Sequence, residues 1–68
     1  MFHLYSRKSH FSTDFVYVTI RDDKAHLLAW TVVGKRRKTS QTEESVPVSE
    51  LPRVYRELRM RGFKRNGR

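Results

Sequence analysis

The sequence predicts an α+β domain in which a three-stranded antiparallel sheet is followed by one C-terminal helix packed on it, in the order β-β-β-α, with a basic tail. Two observations favour this class. Segments rich in β-branched and aromatic side chains fill the first half of the chain, and apolar residues recur at helical spacing near its end. The chain has 68 residues and no cysteine, so we expect one small domain without disulfides. We assign residues 1–63 to this domain and residues 64–68 to a flexible basic tail.

Three segments are predicted strands. Phe15–Ile20 and Ala25–Val33 are rich in the β-branched and aromatic side chains that suit a pleated, half-buried surface. The segment Phe2–Arg7 alternates Phe and Leu with more polar residues and supplies a third strand. A polar turn at Lys8–Asp14 separates this strand from the other two.

The polar connection between the second and third strands predicts an antiparallel hairpin with two possible registers. A two-residue loop at Asp22 and Asp23 sets Phe15 opposite Trp30. A three-residue loop instead sets Val16 opposite Trp30. The register therefore decides which side chains of the hairpin face the core.

The segment that follows Gly34 has no apolar side chain from Lys35 to Glu44. It begins with four cations and ends with two acids. We expect either a solvated, mobile loop or a strand extension that projects beyond the body of the domain.

Helical spacing of apolar residues predicts a helix over about 50–61, with Ser49 as its N-cap. Gly62 is the expected C-terminal stop, at which Phe63 folds back on Leu58. The apolar stripe, which would cover one face of the sheet, consists of Leu51, Val54, Tyr55 and Leu58.

Charge gives the main indication of function. The formal net charge is +8, and the segment Arg53–Arg68 holds seven cations and one acid. A dense positive surface gains free energy beside a polyanion by releasing condensed counterions. We therefore expect a small basic nucleic-acid-binding domain that contacts the phosphate backbone of DNA or RNA through a basic loop and the basic C-terminal helix. The expected phosphate contacts are Lys35, Arg36, Arg37, Lys38, Arg53, Arg56, Arg59, Arg61, Lys64 and Arg65.

A second set of residues is expected to contact bases or a partner, and it consists of Arg7, Arg21, Lys24 and Tyr17. The aromatic residues leave two possibilities open. If Phe15 and Tyr17 face away from the helix, they form an open platform that can stack unpaired bases or make a protein interface. Otherwise these rings belong to the core of the domain or of a homodimer.

The alternative function is a protein-protein interaction module, such as a small phage- or plasmid-type regulator or inhibitor, that binds an acidic surface of nucleic-acid machinery. We expect no enzyme activity and no cofactor, because no nucleophile and base stand in a recognisable order. No metal site is predicted, since His3, His10 and His26 lack ligand spacing. We further expect a cytoplasmic protein without a membrane partner.

Overall fold

A computed structural model describes residues 2–34 and 36–66, with side chains described for 2–34 and 41–66. Within these residues the fold is α+β, a five-stranded antiparallel sheet with one helix near the C-terminus. The strand order is β4-β3-β2-β1-β5. The helix α1 (Leu51–Met60) continues from a 3-10 turn at Val48–Glu50. The strands are β1 (Phe2–Lys8), β2 (Ser12–Arg21), β3 (Lys24–Val33), β4 (Arg36–Pro47) and β5 (Lys64–Asn66).

The β2–β3 hairpin closes with a two-residue turn at Asp22 and Asp23. Both residues have positive φ, 55° and 63°, which a type I′ turn requires and which Asp adopts more readily than most residues. Phe15 accordingly lies opposite Trp30. The two-residue register is confirmed, and it turns Val18 toward the core, where it is 0% exposed.

The polar segment after Gly34 forms a strand that was not among the three predicted strands. Residues 36–47 form β4, which pairs with β3 from Val33 to Lys24. The segment is therefore not a loop, and the strand that it forms pairs with β3 instead of projecting beyond the body of the domain. A strand at the edge of a sheet is reached by solvent and needs no apolar alternation to pair through its backbone. Lys35 lies outside the described residues.

The helix α1 packs on one face of the sheet, which we call the helix face. Its range agrees with the prediction to within one residue at each end. The core is small and draws on both the sheet and the helix. Its buried members are Tyr5, Val18, Ala25, Leu51, Leu58 and Phe63.

The start of the helix differs from the prediction. The 3-10 turn leads directly into α1, so Glu50 rather than Ser49 occupies the cap position, and it makes no side-chain cap bond. The backbone N–H of Val48 instead donates to the carbonyl of Asp23 at 3.3 Å. This bond ties the beginning of the helical segment to the β2–β3 turn.

The helix α1 ends at the predicted stop, Gly62, and the backbone there forms a Schellman motif. The N–H of Gly62, whose φ is +91°, donates to the carbonyl of Arg59 at 3.0 Å, and the N–H of Phe63 donates to the carbonyl of Leu58 at 2.9 Å. Phe63 and Leu58 are both buried in the core. The motif reverses the direction of the chain and returns it to the sheet.

The residues that follow the Schellman motif form a strand, although the sequence predicted a flexible tail from residue 64 onward. Lys64–Asn66 pair with β1 as the strand β5, with Lys64 opposite Ser6. The physical reason is that the reversal brings this segment beside the edge of β1, whose backbone groups accept a new strand. Residues 67–68, the rest of the predicted tail, lie outside the described residues.

Candidate nucleic-acid interface

The sheet has a second face that points away from α1. Successive residues of a strand point to opposite faces, and because Val18 is buried on the helix face, its neighbours Tyr17 and Thr19 point to the other. No element of the described residues covers that side, which we call the open face. The strand pairings give its large apolar residues as Phe2, Leu4, Phe15, Tyr17, Leu28 and Trp30.

The aromatic residues of the open face form two ring pairs. Phe2 and Tyr17 have ring centroids 5.5 Å apart. Phe15 and Trp30 are stacked, with centroids 5.2 Å apart and an interplanar angle of 19°. Phe2 is 63% exposed, and the other three rings are partly exposed. Phe15 and Tyr17 therefore face away from the helix and form part of an aromatic surface.

Cations stand at both ends of the open face. Lys8 and Lys64 lie toward the β1–β2 turn, opposite Thr13 and Ser6 respectively. Arg21 and Lys24, two of the residues expected to contact bases, pair with each other at the far end. Because the two aspartates of the hairpin turn adjoin Arg21 and Lys24, the end with Lys8 and Lys64 is the more positive.

The basic segment at the start of β4 lies at this same end of the sheet. The backbones of Arg36 and Arg37 pair with Val33 and Val32, the last residues of β3. The pairing is irregular between Trp30 and Val32, and Lys38 belongs to the part of β4 that faces this irregularity. The side chains of residues 36–40 are outside the described part of the structure.

The C-terminus of α1 also lies at this end. Arg7, beside Lys8 at the end of β1, donates from Nη1 to the carbonyl of Arg61 at 3.0 Å. The last turn of α1 carries Arg59, and Lys64 begins β5 after the Schellman motif. Together with the backbone positions 36–38, four cations with described side chains form what we call the basic end, namely Lys8, Arg59, Arg61 and Lys64. Arg7 is not counted in it because Asp14 already pairs with its guanidinium.

The acids of α1 are engaged by one arginine. Arg53 donates to Glu50 and, at 3.2 Å, to Glu57. The hydrogen bond and charge of Glu50, with the charge of Glu57, raise the pKa of Arg53, so its charge is offset locally. Among the described side chains, no ion pair reaches the exposed cations Arg56, Arg59, Arg61, Lys64 or Arg65.

Arg7, expected to contact bases, has partners within the fold on the helix face. Its guanidinium forms an ion pair with Asp14 at 2.7 Å and lies over the ring of Phe63, 4.7 Å from the centroid. The Thr31 hydroxyl donates to Asp14 at 2.7 Å. Hydrogen bonds from Thr31 and Arg7 hold the pKa of Asp14 below its ordinary value. These contacts fix the end of α1 against the sheet.

The short strand β5 carries cations to both faces. Arg65 lies opposite Tyr5 on the helix face, where Tyr5 stacks with Tyr55 at 5.7 Å. Burial and the neighbouring Tyr5 raise the pKa of Tyr55, and the charge of Arg65 opposes that shift. Lys64 points to the open face, so β5 presents one cation to each face of the sheet.

Two residues of this region are missing from the sequence-based site. Lys8 falls in a predicted turn, although it continues the alternation of β1 through Leu4 and Ser6. Phe11, in the turn between β1 and β2, is 82% exposed, with its ring 5.9 Å from that of His10. The signal for Phe11 is an aromatic residue in an otherwise polar segment.

Across 2–34 and 36–66, no three His, Asp or Glu side chains are grouped as a metal would require. Over those residues, no helix has the length and apolar character needed to cross a membrane. No family model matches the chain, and comparisons with curated proteins and with solved structures found no significant match.

Proposed function

We propose that this protein binds nucleic acid and contacts its phosphate backbone with the basic end and the adjacent cations of α1 and β5. The observation that carries the proposal is the placement of two basic segments, around Arg37 and around Arg61, at the same end of the sheet. Like charges held together repel, and a polyanion relieves that repulsion while releasing its own counterions. The phosphate contacts proposed are Lys8, Arg36, Arg37, Lys38, Arg56, Arg59, Arg61, Lys64 and Arg65.

Helix electrostatics alone do not account for this distribution. Cations near the C-terminus of a helix are favoured by the helix dipole, which is reason enough for Arg59 and Arg61. That reason does not extend to Lys8 on β1 or to the basic start of β4, since neither belongs to the helix. Surfaces without a charged ligand usually mix both signs. Arg53 contributes less than its neighbours because Glu50 and Glu57 already engage it.

The proposal is tested by fluorescence anisotropy with the purified full chain. Labelled single-stranded DNA, duplex DNA and RNA of equal length are titrated at a low and a moderate salt concentration. Phosphate contacts predict binding that weakens steeply as salt rises. If none of the three binds at low salt, the proposal is wrong. Capture of an acidic protein by a salt-resistant contact would then support the interaction-module alternative.

A further inference from the structure

We infer that the open face binds single-stranded nucleic acid, with unpaired bases stacked on its two ring pairs and phosphates held by Lys8 and Lys64. This inference rests on the proposed function and adds the substrate class and the surface. Aromatic side chains beside a cationic border are the combination by which proteins bind single strands, because every base has a stacking face and every nucleotide a phosphate.

The spacing of the rings suits more than one base. Phe15 and Tyr17 are two residues apart on β2, which separates them by about 6.6 Å along the strand. That separation is about twice the 3.4 Å rise between stacked bases. Phe15 belongs to the pair with Trp30, and Tyr17 to the pair with Phe2. Each ring pair therefore has room to take a base of its own.

A duplex does not use this surface in the same way. The faces of paired bases are covered by their neighbours in the stack, and only base edges and phosphates are presented to a protein. The centre of the open face consists of the aromatic rings together with Leu4 and Leu28. It does not present a row of hydrogen-bonding groups. It consequently favours unpaired bases over a double helix.

Charge favours a polyanion over a second copy of the chain on this face. Two copies related by a twofold axis would present the same patch to each other, so Lys8, Lys64, Arg21 and Lys24 would be buried twice over. On the described strands, Glu43 is the acid that points to the open face. A nucleic acid supplies a phosphate for each of these cations.

The chain contains its own optical probe of the open face, because Trp30 is its one tryptophan. The experiment titrates the full chain with an oligothymidylate of about 12 nucleotides, within the roughly 4–16 nucleotides typical of single-strand sites, and with a duplex of the same length. Stacking on the Phe15 and Trp30 pair is expected to quench the emission of Trp30 with the single strand only.

Two variants locate the stacking without depending on that signal. Tyr17→Ala and Phe15→Ala each remove one ring from a different pair, and each is expected to weaken single-strand binding roughly 5- to 140-fold. Met60→Ala is the matched control, since Met60 is 79% exposed on α1 and outside the open face. It is expected to leave affinity unchanged. Thermal melts establish that each variant is folded.

The outcomes separate this inference from the proposed function. Binding of nucleic acid with no change in Trp30 emission, and with Tyr17→Ala and Phe15→Ala at full affinity, overturns the stacking model while leaving phosphate binding intact. Absence of binding to any nucleic acid overturns both. A dimer that forms through the open face and excludes the single strand also overturns the inference, and sedimentation velocity detects it.

Discussion

Removing two cations from the basic end tests whether phosphate contacts depend on where charge lies or only on how much there is. The change is the double substitution Arg61→Gln with Lys64→Gln. Both side chains are exposed, and no ion pair among the described side chains involves either of them. The carbonyl of Arg61 that accepts from Arg7 remains, so the contact that fixes the end of α1 is retained.

The expected size follows from the number of phosphates neutralised. Four cations of the basic end have described side chains, and each phosphate contact contributes about −0.7 to the slope of log affinity against log salt on a single strand. Four contacts give a slope of about −2.8, three more from positions 36–38 would bring it to about −4.9, and Arg56 and Arg65 would bring it to about −6.3. Loss of Arg61 and Lys64 makes the slope shallower by about 1.4. If the four contacts act alone, raising salt from about 50 to 200 mM weakens wild type about 50-fold and the variant about 7-fold.

The assay is anisotropy titration of a labelled oligothymidylate over a series of salt concentrations. The control is the double substitution Arg53→Gln with Arg56→Gln, which removes the same number of charges from the outer side of α1. Because Glu50 and Glu57 engage Arg53, the control slope is expected to change by about 0.7 or less. Equal changes in the two double variants would refute the localised model, and so would an unaltered slope after the basic-end substitution.

Three further predictions concern the fold that holds this surface. Gly62→Ala places a side chain at φ +91°, which costs about 1–2 kcal/mol and is expected to lower Tm by about 4–16 °C; an unchanged melting temperature would contradict the role of the Schellman motif. Val18→Ala leaves a cavity at a side chain that is 0% exposed, and we expect the free energy of unfolding, measured by chemical denaturation, to fall by about 2–3 kcal/mol. A fall of less than about 0.5 kcal/mol would contradict the central position of Val18 in the core. Asp14→Asn is expected to destabilise the protein at neutral pH. Since the pKa of Asp14 is lowered in the folded state, its stabilisation is complete above the unfolded-state pKa and is lost as pH falls through the folded value. The stability difference between wild type and Asp14→Asn therefore shrinks below about pH 4, and a difference that grows on acidification would argue against this contact.

Local signals predicted the parts of the fold that local interactions determine. The helix near the C-terminus follows from apolar spacing, and its end follows from Gly62 and Phe63. The β2–β3 hairpin follows from two segments with strand composition around a short polar connection. Its register could not be predicted because Asp22 and Asp23 are compatible with either loop length. Their backbone angles decide between the two, and the sequence does not determine those angles.

Strands β4 and β5 could not be predicted because long-range pairing creates them. The first half of β4 is polar throughout, and its partners are the backbone groups of β3 rather than a buried apolar surface. Lys64–Asn66 become a strand because the Schellman motif directs them to the edge of β1. Neither effect leaves a periodic pattern in the residues themselves.

The candidate site likewise combines features that the sequence predicts with features that depend on long-range pairing. Composition identifies the two basic segments, but their placement at the same end depends on the pairing of β4 and on the direction in which α1 crosses the sheet. Lys8 enters the site because β1 extends one residue further than its predicted end. The aromatic surface depends on the register that turns Tyr17 away from Val18 and the core.

Amide chemical-shift mapping of the full chain with an oligothymidylate tests most directly where nucleic acid binds. We expect the largest shifts in β1, in β5 and around Phe15 and Tyr17 of β2, with the indole N–H of Trp30 also displaced. The amide of Arg53, whose side chain is engaged by Glu50 and Glu57, is expected to change little. Shifts confined to α1, or an unchanged spectrum at saturating oligonucleotide, would contradict binding at the open face and the basic end.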